Sequence, residues 1–380
     1  DIMGECNSIV LNNSKSLQKD EMYKFFKNTV GEGLFSAPVD KWRRHRRILN
    51  PAFNPIILEQ FIPVFNKKAR ELIDMLRCEV GKPEEFDLWP AVSSVALSLI
   101  CQTTLGYDLK ISKSHDAHSP EMEFARALEE ASVHDSMRIY KPWLHPDVIF
   151  NLVTYMNGFD QIYMKLKQLP NLVKFVIKNL TFLPAKKKIK VFVDILLEMS
   201  AEGANFTDQD ITDHVITMMV GGTETSAITN CFCTLMLAMY PELQDKAYAE
   251  QVSIFGRMTY LEQCLKETLR MFPPGPIFIR EAADDIPIRN YVLPKGTSES
   301  VRNRHRYSFI PFSGGPRGCI GSKYAMLSMK TVMSTFLRNF RAETTCKLSD
   351  ISLKIDLLAR SKNGYPVKIF PRTLPKNAAA

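Results

Sequence analysis

The sequence predicts a mainly α fold with a small β part. Three observations predict it: apolar residues recur at helical spacing in five long stretches, Pro- and Gly-rich turns separate them, and β-type runs occur only late in the chain. At 380 residues, 45% hydrophobic and 24% charged, the chain can bury a large core and is neither disordered nor fibrous. Its net charge of +8 admits an acidic partner or an anionic ligand without requiring either.

The spacing predicts helices over 55–77, 189–199, 211–239, 258–271 and 322–340. The most apolar window, 88–105, contains Trp89, Pro90 and several serines. A membrane span needs about 20 mostly apolar residues, so this window predicts a buried helix and no transmembrane segment. Turns are expected at 80–85, 115–121, 272–276 and 309–321, and strands at 286–293 and 365–370. The Lys186-Lys187-Lys188 run reads as a solvated loop. Among eight cysteines there is no Cys-x-x-Cys pair, and Cys231 and Cys233 read as buried small hydrophobes. A reducing compartment is the default. No signal peptide is visible and the first residue is Asp, so the chain is expected to continue N-terminally.

The strongest chemical signal is Phe312-Ser313-Gly314-Gly315-Pro316-Arg317-Gly318-Cys319-Ile320-Gly321, a glycine-dense turn that presents one cysteine just before a helix near Ser322. Glycines let the backbone fold closely around a sulfur, and amides at a helix start favour the thiolate that a metal ligand must be. Arg317 adds a positive charge able to hold a carboxylate near such a metal. Glu267 and Arg270 lie three apart on a predicted helix and can pair. Thr207 and Asp210 open a long helix in which Ile211, Val215, Met218, Gly222 and Thr225 share one face. An interior glycine costs about 1 kcal/mol against alanine, so Gly221-Gly222 predicts that something flat or bulky needs the space. Glu224 and Thr225 set an acid and an alcohol beside it, suited to proton delivery. Trp42 and Arg46 stand four apart in a basic run, 41–47, which also reads as a nucleic-acid or targeting patch.

This sequence resembles the cytochrome P-450 family of haem-thiolate monooxygenases. The haem-binding signature Phe-x-x-Gly-x-Arg-x-Cys-x-Gly is complete at Phe312, Gly315, Arg317, Cys319 and Gly321. By this resemblance Cys319 is the proximal ligand of haem b iron, Trp42 and Arg46 bind haem propionates, and Arg280 reaches a propionate by a looser match. Glu267 and Arg270 match the family's Glu-x-x-Arg motif, which sits in a buried network. Glu224 and Thr225 match the proton-relay end of the central helix. Gly33-Leu34-Phe35 and the stretch 304–312 are similar to insect microsomal enzymes related to fatty-acid ω-hydroxylases. In many of those a glutamate stands at the position of Gly221 and links covalently to haem, so no ester-linked haem is expected.

The resemblance covers nearly the whole of 1–380 as one domain, with three pieces missing. The membrane anchor, hinge and first strands would precede Asp1, and internal deletions are expected near 256–257 and 297–302. The second gap removes the arginine that completes the network of Glu267 and Arg270, and Arg302, Arg304 and Arg306 do not stand in the context to replace it. The resemblance implies oxygen insertion into a lipophilic substrate using O2 and electrons from NADPH through a reductase or a cytochrome b-type donor. It places the full-length protein on the cytosolic face of the endoplasmic reticulum membrane, with basic residues such as Lys323 and Arg317 near the cysteine side expected to help dock the donor. Two alternatives stand beside it: a haem-free remnant acting as a binding protein, and a nucleic-acid binder using 41–47.

Overall fold

The computed structural model describes residues 8–108, 120–166, 189–253, 258–288, 291–293, 298–300 and 309–372. The lysine run 186–188, the expected gap at 256–257, both ends of the 297–302 stretch, and Arg302, Arg304 and Arg306 lie outside them. The chain forms two units, each assembled from three stretches. One comprises Asp1–Asn54, Glu123–Val220 and Gly275–Ser322; the other comprises Pro55–Met122, Gly221–Pro274 and Lys323–Ala380.

In the first unit, the Val39–Leu49 helix follows Pro38, carries Asp40 in its first turn and Arg46 and Arg47 in its last, and so complements the helix dipole at both ends. Its buried residues, Trp42, His45 and Leu49, recur at spacings of three and four and form one stripe. His45 Nδ1 meets His214 Nε2 at 2.8 Å, with Phe206 edge-on against His45. Helix Pro120–Tyr140 was not expected from the periodicity. Among the described residues its buried positions are Ala127, Ala131, His134, Asp135, Ser136 and Arg138, so the face seen to pack inward is largely polar and leaves little apolar period to read. Arg138 lies between the rings of Phe25 and Phe150 and donates to the carbonyls of Leu144 and His145 at 3.0 and 2.6 Å. It thereby ties this helix to the Asp147–Met156 helix. Gln18–Lys19 pairs antiparallel with Ile279–Glu281, which pairs in turn with Ser298–Ser300.

In the second unit the expected 55–77 helix divides into Pro55–Glu59 and Ile62–Leu76. Pro63 stands in the first turn of the latter, where its missing N–H costs nothing, but it cannot continue a preceding helix. Trp89–Leu105 is buried on most of its surface and closes at Gly106 in the left-handed region. No helix among the described residues is long and apolar enough to cross a membrane. Thr259–Met271 and Ser322–Asn339 follow the predicted spans closely. Phe86–Asp87, Pro366–Pro371 and Phe340–Glu343 make an antiparallel sheet in that order, and Leu353–Ile355 pairs with Ala359–Ser361. The early strands 18–19 and 86–87 escape a local reading because two residues acquire strand geometry only from distant partners.

The Asp208–Met239 helix runs through both units. Its start is the expected reciprocal cap: Asp210 accepts from the Thr207 N–H at 3.0 Å, and the Asp210 N–H donates to Thr207 Oγ1 at 3.1 Å. In its second half Phe232 stacks on Phe272 at 4.3 Å and meets Tyr365 edge-on at 4.9 Å. Cys231 and Cys233 are wholly buried beside it, and burial pushes the Cys233 thiol up to about 12, which makes it an inert hydrophobe.

Candidate active site

The cysteine loop is held by its own backbone. Ser313 N–H donates to Ile310 O at 2.8 Å, Gly318 N–H to Gly315 O at 3.0 Å, and Cys319 N–H to Phe312 O at 2.8 Å. Gly315 has φ +65°, and a Cβ there would run into the carbonyl of Leu11. Only glycine satisfies both conditions. Phe312 is half-buried and serves the loop through its carbonyl. Cys319 keeps accessible surface, yet protein surrounds its sulfur on the longer scale that governs solvation. Desolvation therefore pushes the thiol up, against the opposing pull of the Gly321 N–H and the Arg46 charge.

Beside this loop the first unit gathers cations. Arg46 donates to Gly318 O at 2.8 Å and to Asn50 Oδ1 at 2.8 Å. The Arg317 guanidinium lies 4.4 Å from the ring centroid of buried Trp42 and donates to Ala37 O at 2.9 Å, while its Nε and Nη1 are buried without a partner. Arg280 is 4% exposed and donates to Ile279 O at 3.3 Å. Lys19 faces Arg280 across the strand pair, with Nζ 4.1 Å from the Tyr23 centroid and 4.0 Å from that of Phe35. Burial first, then the charges of Arg280 and Arg317, pull Lys19 well below its usual value. Burial and Arg280 likewise bring Arg317 down to about 9. No carboxylate among the described residues offsets these charges.

In the second unit Glu224 is buried, and its carboxylate accepts from Arg360 Nη2 at 3.1 Å. The Thr225 hydroxyl donates to Gly221 O at 2.7 Å. The two glycines divide the role expected of them together. A Cβ on Gly222 would come within 2.5 Å of Ile100, so that position is cleared for a neighbouring helix and not for a flat group. A Cβ on Gly221 meets nothing within 4 Å, and the open space lies there.

The cytochrome P450 family model matches residues 7–301 and 297–368. The chain belongs to the cytochrome P450 family. Cytochrome P450 4c3 of Drosophila melanogaster is 32% identical across 96% of this chain and 78% of its own length. Cytochrome P450 4V2 of Homo sapiens is 29% identical over the same shares. Among solved structures, the cytochrome P450DA heme domain superposes with a TM-score of 0.82 at 19% identity, covering 98% of this chain and 87% of that one. The chain is thus a P450 monooxygenase of the type shared by insect and mammalian group-4 enzymes, and its cofactors are thiolate-ligated haem, O2 and reductase-derived electrons.

The residues present fit a haem of the P450 kind. Buried cations without counterions are unstable, and the Arg317 donors without partners sit among them. A pair of propionates would supply the missing negative charge and acceptors. Lys19, Tyr23 and Arg360 are members of these clusters that the sequence did not reveal. Lys19 reaches Arg280 only through strands joined from opposite ends of the chain, and no local signal marks it. Glu267 and Arg270 are brought together at 2.6 and 2.8 Å, but both side chains are more than half exposed. Among the described residues this pair joins no buried network of the kind expected of the P450 motif, and its worth is that of a screened surface pair.

Proposed function

We propose that Cys319 is the proximal iron ligand, that Trp42, Arg46, Arg280 and Arg317 hold the haem propionates, and that Glu224 and Thr225 carry protons to the reaction. Haem on a cysteine thiolate supplies the O2 activation by which one oxygen atom enters a C–H bond. The loop residues Gly315 and Gly321 fix the sulfur, and the Gly321 N–H and Arg46 favour its ionised form. The Thr225 proton is committed to Gly221 O, which leaves its oxygen free to accept from an incoming donor. Arg360 holds Glu224 by one carboxylate oxygen. The observation that carries this reading is Arg317, buried among cations with two donors unanswered. A lipophilic substrate, an NADPH-dependent reductase or cytochrome b-type donor, and an endoplasmic reticulum location follow by likeness to the relatives. Lys323 is exposed, as a docking residue must be.

The test is a reduced, carbon-monoxide-treated absorption spectrum of the chain beside Cys319→Ala. A thiolate-type band present in the first and lost in the second supports the reading. Two featureless spectra support the haem-free remnant. That second reading has observations in its favour: Glu267 and Arg270 are exposed, the family model matches in two segments meeting at 297–301, and the alignment with the fly relative runs over 422 positions against 380 residues here. The same observations support the deletion expected near 297–302. Part of the basic run 41–47 serves the protein's interior: Lys41 pairs with Asp210 at 2.7 Å, Trp42 and His45 are buried, and Arg46 holds the cysteine loop, while Arg43, Arg44 and Arg47 are exposed. A nucleic-acid role for it has no supporting observation.

A further inference from the structure

The second unit contains a cavity on the side of the central helix marked by Gly222, Ser226 and Asn230, which recur at intervals of four and so form one line along it. Aliphatic side chains of the Ile62–Leu76 and Trp89–Leu105 helices make one wall, and Tyr324 and Ser328 of the Ser322–Asn339 helix contribute to another. Two polar atoms in this lining have no partner: Ser226 Oγ and Asn230 Oδ1, in residues 8% and 4% exposed. Leaving such groups unanswered costs about 1–3 kcal/mol each.

Hydroxyls elsewhere on this helix show that Ser226 is set apart. Thr225, Thr229 and Thr234 each donate to the carbonyl four residues earlier, at 2.7, 2.8 and 2.9 Å. The same bond to Gly222 O is open to Ser226 by geometry, but its Oγ makes no bond and lines the cavity. The neighbouring polar groups are already engaged: Tyr324 Oη lies 2.8 Å from Thr103 Oγ1, and Ser328 Oγ donates to Ala325 O at 3.0 Å. Both retain lone pairs.

The chemistry defines the occupant. An amide oxygen only accepts, so the ligand must donate at least one hydrogen bond. No Asp, Glu, Lys, Arg or His lines the space, which leaves nothing to balance an ion. The cavity offers about 20 Å³, against the roughly 10–15 Å³ that one water needs on the same measure. We propose that this cavity binds a single water molecule that bridges Ser226 Oγ and Asn230 Oδ1. The water sits behind the Glu224-Thr225 segment and replaces a backbone bond that Ser226 forgoes, so it sets the roll of that segment against the two flanking helices. The site stands on the second unit's own residues and does not depend on the haem reading.

The experiment is a crystal structure of the intact protein, with and without xenon pressure, for wild type, Ser226→Ala and the Ser226→Ala/Asn230→Leu double variant. Wild type is expected to show one peak within hydrogen-bonding distance of both atoms and no xenon. The double variant is expected to lose the water and either admit xenon or close. Xenon in the wild-type cavity, or Ser226 turned to Gly222 O with no peak beside Asn230, overturns the proposal. Should the double variant fail to fold, oxygen-17 relaxation dispersion on wild type and Ser226→Ala decides instead. Loss of one of the water's bonds is expected to shorten its residence by about tenfold, and an unchanged dispersion overturns the proposal.

Discussion

At the scale of the residue, the candidate site is a set of groups that the protein alone leaves unsatisfied. Arg317 is the clearest, since its charge is buried with two donors idle. Arg317→Gln is expected to weaken haem retention about 10- to 100-fold, the range set by one charge-assisted hydrogen bond. The rate of haem transfer to an acceptor apoprotein measures this, with circular dichroism to establish that the variant remains folded. Two glycines give opposite expectations. Gly315→Ala forces a Cβ into the Leu11 carbonyl in a left-handed backbone, so the loop must move and the thiolate spectrum should disappear. Gly221→Ala meets open space in a helix interior and should raise the unfolding free energy by about 0.5–1 kcal/mol in urea titrations of the haem-free protein. The motif from Phe312 to Gly321 was legible in the sequence because its constraints are local: turns, φ and the spacing of a sulfur from a helix start. Lys19 and Arg360 were not, because their meaning lies in partners far along the chain.

At the scale of the element, the Val39–Leu49 helix is joined to the central helix by a histidine pair. Arg44 donates to His45 Nε2 at 3.0 Å, so the His45 proton sits on Nδ1 and points to His214 Nε2. Both rings are then neutral. Burial, then the His45 ring, brings His214 down to about 3; the groups facing the pair are Arg44, Lys41, Asp210 and the Phe206 ring. An unfolded histidine titrates near about 6.5, so between these values the unfolded chain binds the extra proton. The contribution is complete above about pH 6.5 and is lost as pH falls toward 3. At pH 5 the loss amounts to about 2 kcal/mol. Urea midpoints at pH 7.5 and pH 5 should show it, and His214→Gln should flatten the dependence; parallel slopes for the two proteins refute the assignment. Helix spans with an apolar stripe, such as 259–271 and 322–339, were readable from periodicity. The 120–140 helix was not, because it buries His134, Asp135 and Arg138, and a polar interior has no hydrophobic period.

At the scale of the whole molecule, the exposed Glu267–Arg270 pair is what the proposed deletion near 297–302 predicts. Glu267→Gln should leave the urea midpoint of this chain almost unmoved, because both groups are hydrated and screened. Grafting the corresponding segment of the fly relative between Leu293 and Arg302 should bury the pair, slow haem loss and make the same Glu267→Gln change strongly destabilising; an equal, small effect in both backgrounds would reject the deletion. The sequence by itself determined the family, the helical character and which sulfur to propose as the ligand, since these rest on patterns that extend over ten or twenty consecutive residues. Only the tertiary structure decided which charges are buried together, which glycine faces open space and which faces Ile100, and where Glu224 finds its counterion. Electrostatics and packing depend on distances between atoms, and residues far apart in sequence acquire those distances only when the chain has folded.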